Sequence, residues 1–264
     1  MKLFFSPCPP GYTTYTFPYG IYAIPQHNSE LSELYNSSFL PYTGDTNLKY
    51  PVFYKARSLR VALEKFSDSS ENRRIARKFD DMNFRIEELG NEFQGDGEFK
   101  NFAIDYAEKR FKGGQMDAER LDYVLSRTYL THVYRFLLNE KCVAYLLAVE
   151  NKSIFHYWFC FFDLEIAAEM PLGKYLMWKG IHIAKDKGCS YVYLGTCYGN
   201  RSLYKARDFK GVEFHDGNFW SSDLNKLKLL CKTDEDVENH LIADEFKLSE
   251  DPNKLVETIL SINN

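Results

Sequence analysis

The sequence predicts an α/β (α+β) chain, a mixed twisted sheet flanked by helices with a smaller N-terminal portion. Three observations carry that reading. Between residues 132 and 163 three strand-like runs are separated by short turn signals. A helical segment opened by Pro171-Leu172-Gly173 and a further strand-like run follow them. At 264 residues, with 45% hydrophobic and 16% aromatic side chains, the chain can bury one sizeable core or two small ones. That composition excludes a disordered or low-complexity protein.

Taken in order, residues 1–55 are rich in Pro, Gly, Tyr and Thr. Alternating pieces such as Thr14 to Ile24 read as edge strands or ordered loops, and no helix is expected before Ser29. Ser67-Asp-Ser-Ser-Glu71 then supplies N-cap candidates. Ile75, Phe79, Met82 and Ile86 recur at helical spacing, which predicts a helix over 72–89. Gly90, Gly95 and Gly97 break the pattern. A second helix fits 98–111, with Phe102, Tyr106 and Phe111 on its expected buried side, stopped by Gly113-Gly114. From 118 a short helix precedes strands over 132–138, 141–149 and 154–163, with Asn139-Glu140 and Asn151-Lys152 as the turns. The run Ile154-Phe-His-Tyr-Trp-Phe-Cys-Phe-Phe suits a central strand buried on both faces. A helix over 174–187 ends at Gly188, and 190–195 is a further strand. The expected division is an N-terminal portion over 1–115, a degenerate half of the same fold, a core over 116–220, and an acidic helical tail over 221–264.

The net charge is −4, which does not advertise a nucleic-acid partner. Its distribution matters, because residues 221–264 carry ten acids against five lysines and the remainder has a net charge of +1. Six cysteines lie scattered without a C-x-x-C pair, so no zinc ribbon or redox pair is expected. The histidines show no ligand spacing, and His156, inside an apolar run, reads as a core residue rather than a base. No metal is predicted. The first residues hold too short an apolar run for a secretory signal, and no stretch reaches a spanning helix. A reducing cytoplasm and no membrane partner are the expectation.

Strand, strand, strand, glycine loop, helix, strand resembles the core of the GNAT acyltransferase fold. There two neighbouring parallel strands splay apart and the acyl donor lies in the gap. Around that core the sequence reads Leu172-Gly173-Lys174-Tyr175, then Tyr191-Val-Tyr-Leu194-Gly195-Thr-Cys-Tyr198. After it come Ser202-Leu-Tyr204-Lys205-Ala-Arg207-Asp-Phe209, and later Trp220. Upstream stand Arg60-Val61 and Ser69-Ser-Glu-Asn-Arg73-Arg74-Ile-Ala-Arg77-Lys78. This ordered set, over about residues 57 to 220, resembles the arginyl- and leucyl-tRNA-protein transferases. The match departs at Tyr50-Pro51, followed here by Val52-Phe53-Tyr54 where that family has a cysteine cluster, so an iron–sulfur or zinc regulatory site is not expected.

The resemblance implies transfer of an amino acid, Arg or Leu, from aminoacyl-tRNA to the N-terminal α-amino group of a protein. An acidic N-terminal residue on the acceptor and marking for degradation belong to the same expectation. Aminoacyl-tRNA would be the co-substrate and no further cofactor is implied. The amine needs no strong base, so oxyanion stabilisation and positioning should dominate. Candidates for the chemistry are Asp163 and Glu165 for a proton or the acceptor ammonium, and Tyr198 or Tyr204 for a hydroxyl donor. Gly173, Tyr175, Leu194 and Gly195 would line the donor site. Arg73, Arg74, Arg77 and Lys78, read as the start of a helix where cations are unfavourable, suggest a bound anion, with a solvated face paired to Glu71, Asp80 and Asp81 as the plain alternative. Lys205 and Arg207 would border the cleft, and Trp220, outside the predicted elements, could stack on the terminal adenine. Two other readings compete: an acyl-CoA N-acetyltransferase, disfavoured by Glu169 and by bulky Tyr175 in the diphosphate loop, and a non-catalytic adaptor.

Overall fold

The computed structural model describes residues 1–7, 19–90, 93–111, 116–234 and 257. Cys8, the stretch 14–18, Gly113, Gly114 and the acidic tail past Asp234 other than Glu257 lie outside the described residues. Two compact units emerge, one of Met1–Ser58, Thr196–Leu203 and Phe214–Asn264, the other of Leu59–Gly195 and Tyr204–Glu213.

The first unit opens with β1 (Lys2–Pro7), β2 (Tyr19–Ile24), α1 (Leu31–Asn36), β3 (Phe39–Pro41) and β4 (Phe53–Lys55). The strands form an antiparallel sheet in the order β1-β2-β4-β3. Leu34 and Tyr35 bury the inner side of α1, with Tyr35 set edge-to-face on Phe53, 6.3 Å between centroids.

The second unit holds β5 (Ser58–Ala62), α2 (Ser70–Asp80), β6 (Phe84–Leu89), α3 (Gly97–Arg110), α4 (Ala118–Leu125), β7 (His132–Leu138), β8 (Lys141–Glu150) and β9 (Ile154–Phe162). It continues through α5 (Leu164–Glu169), α6 (Leu172–Asp186), β10 (Tyr191–Thr196), α7 (Tyr204–Arg207) and the start of β11 (Val212–His215). Its sheet runs β11-β5-β10-β9-β8-β7-β6. The mixed sheet with flanking helices is the GNAT-like architecture expected. The meander over β7, β8 and β9 also follows the prediction. Asn139 and Glu140 both adopt left-handed φ, 49° and 65°, as a two-residue hairpin turn requires.

One expected helix divides in two. The segment 72–89 is helical only to Asp80, Asn83 turns the chain with φ 48°, and Phe84–Leu89 pairs antiparallel with β7 as an edge strand. Met82 and Ile86 had the helical spacing, but Asn tolerates the left-handed turn that ends α2. Exposed Arg85 and Glu88 then protect the open strand edge. In α3 the buried stripe is Phe99, Ala103, Tyr106 and Ala107; Phe102 is half-buried, and Phe111 stands beyond the helix and is exposed. The short α5 was not anticipated.

Helices cover both faces of the sheet. Phe99, Ala103, Leu121 and Val124 of α3 and α4 cluster with Tyr145, Leu147 and Phe161. On the opposite parity, Leu146 and Tyr157 lie under Gly180 of α6. The adjoining α2 reaches α6 through Phe79, stacked on Tyr175 at 4.1 Å.

The first unit ends with β12 (Trp220–Ser221), paired antiparallel to Phe214–His215, and α8 (Leu224–Thr233). Arg57 binds this unit together: its guanidinium meets Asp234 at 2.7 and 3.0 Å and lies over the Tyr198 ring.

Candidate active site

The parallel pairing of β9 with β10 spans three residues, Ile154–His156 against Tyr191–Tyr193. Both strands then run on, β9 to Phe162 and β10 to Thr196, without that partner. The strands therefore part after His156 and Tyr193, which is the expected splay. A bulge falls at the same point: Ala148 pairs with Tyr157 and Leu147 with Phe159, so Trp158 is the extra residue. Residues three apart on a regular strand face opposite ways. The bulge resets that parity, so Tyr157 and Cys160 share a face of the strand, where each acts electrostatically on the other. Beyond the bulge β9 is only half-buried at Trp158, Phe159, Cys160 and Phe162, so the expectation of burial on both faces holds for its first four residues.

Two glycines set α6 against β9. A Cβ on Gly180 would lie 2.9 Å from the Tyr157 ring, and one on Gly173 would lie 3.1 Å from the Phe162 ring. They stand seven residues apart, two helical turns, so one face of α6 rides over β9. On the β10 side, Gly195 is left-handed with φ 78°, and the Lys205 ammonium comes within 3.8 Å of where its Cβ would be. Lys205 also acts on buried His156: burial first, and that positive charge second, push the imidazole pKa down to about 3. His156 is thus neutral at physiological pH, and an ammonium stands where the strands part.

Around this gap, Tyr106 packs on Phe162 at 4.8 Å, and Tyr204 interacts electrostatically with Tyr106 and Tyr157. Burial raises the Cys160 thiol to about 12, which keeps it protonated. Lys174, in the first turn of α6, approaches Asp208 at 3.7 Å. The arrangement offers a cation and hydroxyls beside a widening gap between strands, suited to stabilising an oxyanion in a partly dry site.

The sequence candidates distribute unevenly. Gly173, Leu194, Gly195, Tyr204 and Lys205 gather around the splay. Tyr175 instead is buried core between α2 and α6, stacked on Phe79 and edge-on to Phe84. Asp163 caps α5, its Oδ1 accepting from the N–H groups of Glu165 and Ile166 at 2.9 and 3.0 Å. Burial opposes ionisation there, but those N–H groups and Lys141 outweigh it and hold the carboxyl below its ordinary range. Glu165 is exposed on the same first turn. Arg207 is exposed and bonds Asp208 at 3.1 Å.

Arg73, Arg74 and Arg77 line the exposed face of α2. Arg74 grips Glu71 through two 2.8 Å bonds, and Arg73 donates to the Asp68 carbonyl. Because α2 ends at Asp80, Arg77 and Lys78 occupy its last turn, where cations are favourable. The helix-dipole argument for a bound anion there is therefore corrected. Tyr198 and Trp220 belong to the first unit. The Tyr198 hydroxyl accepts from the Arg57 N–H at 2.7 Å. Trp220, expected outside regular structure, lies on β12 and donates to the Asn36 carbonyl at 2.7 Å.

Three features escaped sequence reasoning. Tyr157 and Cys160 share a face only through the bulge, which has no local signature, and Tyr106 comes to Phe162 from α3. Glu213 ties β11 to Arg60 at 2.8 Å and Lys65 at 2.9 Å, while the Arg60 guanidinium stacks on Tyr191 at 3.9 Å. Asp68 accepts from the Trp178 indole at 2.6 Å and contacts His182 at 3.2 Å, joining the start of α2 to α6. Among the described residues, no three His, Cys, Asp or Glu side chains group as a metal site. Nor is any described helix long and apolar enough to cross a membrane.

Several solved structures are similar to this chain. A conserved protein of unknown function from Bacteroides thetaiotaomicron VPI-5482 shares 14% identity over 58% of this chain and 54% of its own, with a TM-score of 0.43. The C-terminal domain of a putative lysylphosphatidylglycerol synthetase from Agrobacterium fabrum shares 14% over 64% and 51%, with a TM-score of 0.41. L-PGS from Bacillus licheniformis shares 13% over 78% and 69%, with a TM-score of 0.44. The chain spans about half the length of the first two. No curated protein matches the sequence. The sequence pattern of the acetyltransferase (GNAT) domain matches residues 57–210, the stretch that holds the splayed strands, the bulge and Lys205, and with more than half of its length so matched the chain belongs to the GNAT domain family.

Proposed function

We propose that the splay between β9 and β10 transfers an aminoacyl group, Arg or Leu, from aminoacyl-tRNA to the N-terminal α-amino group of a protein. The acceptor would begin with an acidic residue and be marked for degradation. The observation that carries this reading over acetyl transfer is the start of α6. A diphosphate needs a cradle of open backbone N–H groups at a helix N-terminus. Here Pro171, at the N-cap of α6, has no N–H to offer, the Leu172 N–H is taken by the Met170 carbonyl at 2.7 Å, and exposed Glu169 places a negative charge just before the turn. The ordered likeness of residues 57 to 220 to the aminoacyl-tRNA-protein transferases supports the same choice.

In this mechanism the acceptor amine, with a pKa of about 7.7–8.0, is partly neutral near pH 7 and attacks the ester carbonyl carbon. A C–N bond forms while the carbonyl oxygen takes up negative charge. The Lys205 ammonium and the backbone at left-handed Gly195 stabilise that oxyanion. The C–O bond to the ribose then breaks, and the surplus proton of the nitrogen passes to the ribose oxygen, with the Tyr204 hydroxyl as relay. Glu165 is the carboxylate we assign to the incoming ammonium, because Asp163 Oδ1 is already engaged in capping α5.

Acceptor dependence tests the reading. With charged tRNA present, a peptide beginning with Asp or Glu should gain one aminoacyl residue at its α-nitrogen. The same peptide with its N-terminus blocked should gain none. Modification of the blocked peptide at an internal lysine would overturn the assignment of the acceptor.

A further inference from the structure

We propose that Cys197 and Cys231 are a paired dithiol that oxidation closes to a disulfide, stapling α8 to the chain that leaves β10. Their sulfurs lie 3.8 Å apart although 34 positions separate them in sequence. Both carry thiols and both are fully buried. No C-x-x-C spacing announces the pair; the fold of the first unit assembles it. Cys197 stands just after β10, its N–H donating to the Arg57 carbonyl at 2.8 Å. Cys231 lies on the inner side of α8, one turn beyond Leu227, the other fully buried side chain among the described residues of that helix. The chain on either side of the sulfurs is already tied. Arg57 clasps Asp234, which directly follows α8, and Asp234 also accepts from the Gly199 N–H at 2.9 Å. A disulfide is about 2.05 Å long, so the sulfurs have only roughly 1.8 Å to close between elements that are held together without it.

The oxidant is a peroxide or a small disulfide. With hydrogen peroxide, one thiolate attacks the O–O bond and becomes a sulfenic acid, while the departing oxygen leaves as water. The second sulfur then attacks the first, the S–S bond forms, and the sulfenic oxygen leaves as a second water carrying the last thiol proton. With oxidised glutathione the same bond forms by two exchanges and releases two molecules of reduced glutathione. The hydrogen bond to Cys197 and burial hold the Cys231 thiol above its ordinary range, so the closed pair reacts slowly. Reaction runs through opening of α8, a helix of ten residues anchored by few buried side chains and therefore low in local stability. The product holds down the helix whose opening admitted the oxidant. In sequence the stapled segment, Thr196–Leu203, joins Gly195 to Tyr204, so the bond constrains the chain between those two residues of the candidate site.

The test treats the folded full-length protein with hydrogen peroxide or oxidised glutathione, alkylates the remaining thiols in denaturant, and digests with trypsin for mass spectrometry. The expected product is the peptide 188–201 joined to the peptide 229–232, two hydrogens lighter than the pair, and separated again by dithiothreitol. Fragment ions place the bond at Cys197 rather than Cys189, which shares the first peptide, so the unaltered protein alone decides the pairing. In Cys197→Ser the linked product should disappear. Amide hydrogen exchange over 224–233 should slow on oxidation of the unaltered protein and stay unchanged in Cys197→Ser. Recovery of Cys197 and Cys231 both alkylated after either oxidant, a bond from either one to any other cysteine, or a persistent glutathione adduct or sulfinic acid would overturn the pairing. A bond at the expected residues with unchanged exchange in α8 would overturn the staple. Each outcome is read without any acyl transfer, so it stands apart from the assignment of the donor.

Discussion

Replacing Gly180 by alanine sets two calculable effects against each other at the point where α6 crosses β9. Alanine is the better helix former by about 1 kcal/mol in a helix interior. Its methyl, however, would arrive 2.9 Å from Cδ2 and 3.3 Å from Cε2 of Tyr157, and 3.6 Å from Leu146. The Tyr157 ring is buried in the core, so it cannot swing out of the way. Overpacking of this kind costs roughly 1–3 kcal/mol. The balance is a net destabilisation of about 1 kcal/mol. For a unit of roughly 150 residues, an unfolding entropy of about 0.3 kcal/mol/K converts this to a melting temperature lowered by about 3 °C. The decisive assay is a double-mutant cycle by thermal and urea unfolding. In a Tyr157→Leu background the obstructing ring is gone, so Gly180→Ala should be neutral or stabilising, a coupling of about 2 kcal/mol. A stabilising Gly180→Ala in the unaltered protein, with no coupling to Tyr157, would refute the close-packing argument and the placement of Tyr157 that depends on it.

Other expectations follow from the same geometry. Lys205→Met should lower the single-turnover rate of acyl transfer by about 10²- to 10³-fold, the usual cost of removing one oxyanion donor. NMR titration of the same variant should show the His156 pKa rising from about 3 but staying below the ordinary imidazole value, since burial is the larger cause. Glu213→Gln leaves the Arg60 guanidinium buried without its counter-charge, and chemical denaturation should show a loss of about 3 kcal/mol. Burial opposes ionisation of Glu213, but Lys65 and Arg60 overcome it and hold its pKa below the ordinary glutamate range. Its contribution is therefore complete above the unfolded pKa and lost as the pH falls through the lower folded value. Unfolding midpoints measured downward from pH 5 should fall more steeply for the unaltered protein than for Glu213→Gln. Arg73→Ala with Arg74→Ala removes exposed cations from α2, so the melting temperature should stay put while donor binding weakens and loses salt dependence. A large thermal loss with binding intact would make the pair structural.

The parts legible in the sequence are those written in local signals. Asn139-Glu140 announces its hairpin because both residues must accept left-handed φ, and the apolar run from Ile154 announces a central strand. Gly173 and Gly195 drew notice within the short motifs that carry the resemblance, and the one permits a close approach and the other a left-handed exit at the splay. What stayed hidden depends on tertiary contact. Tyr175 looked like part of a donor loop, but Phe79, 96 residues earlier, claims its ring. Ile86 obeyed helical spacing by coincidence, and the turn at Asn83 moved it into a strand, which in turn put Arg77 and Lys78 at the end of α2 rather than near its start. Cys160 and Tyr157 share a face only because Trp158 is bulged out, and parity counted along a regular strand gives the opposite answer. The Arg57–Asp234 pair joins residues 177 apart, a distance over which no sequence pattern operates.

The central claim, an aminoacyl ester as donor at the β9–β10 splay, is tested most directly by mass spectrometry of one acceptor peptide. A peptide with N-terminal Asp is incubated with the protein and either arginyl- and leucyl-tRNA or acetyl-CoA. The predicted product from charged tRNA is the peptide heavier by one arginyl or leucyl residue, with none formed from acetyl-CoA. A peptide heavier by one acetyl group, and unchanged with charged tRNA, would contradict the account.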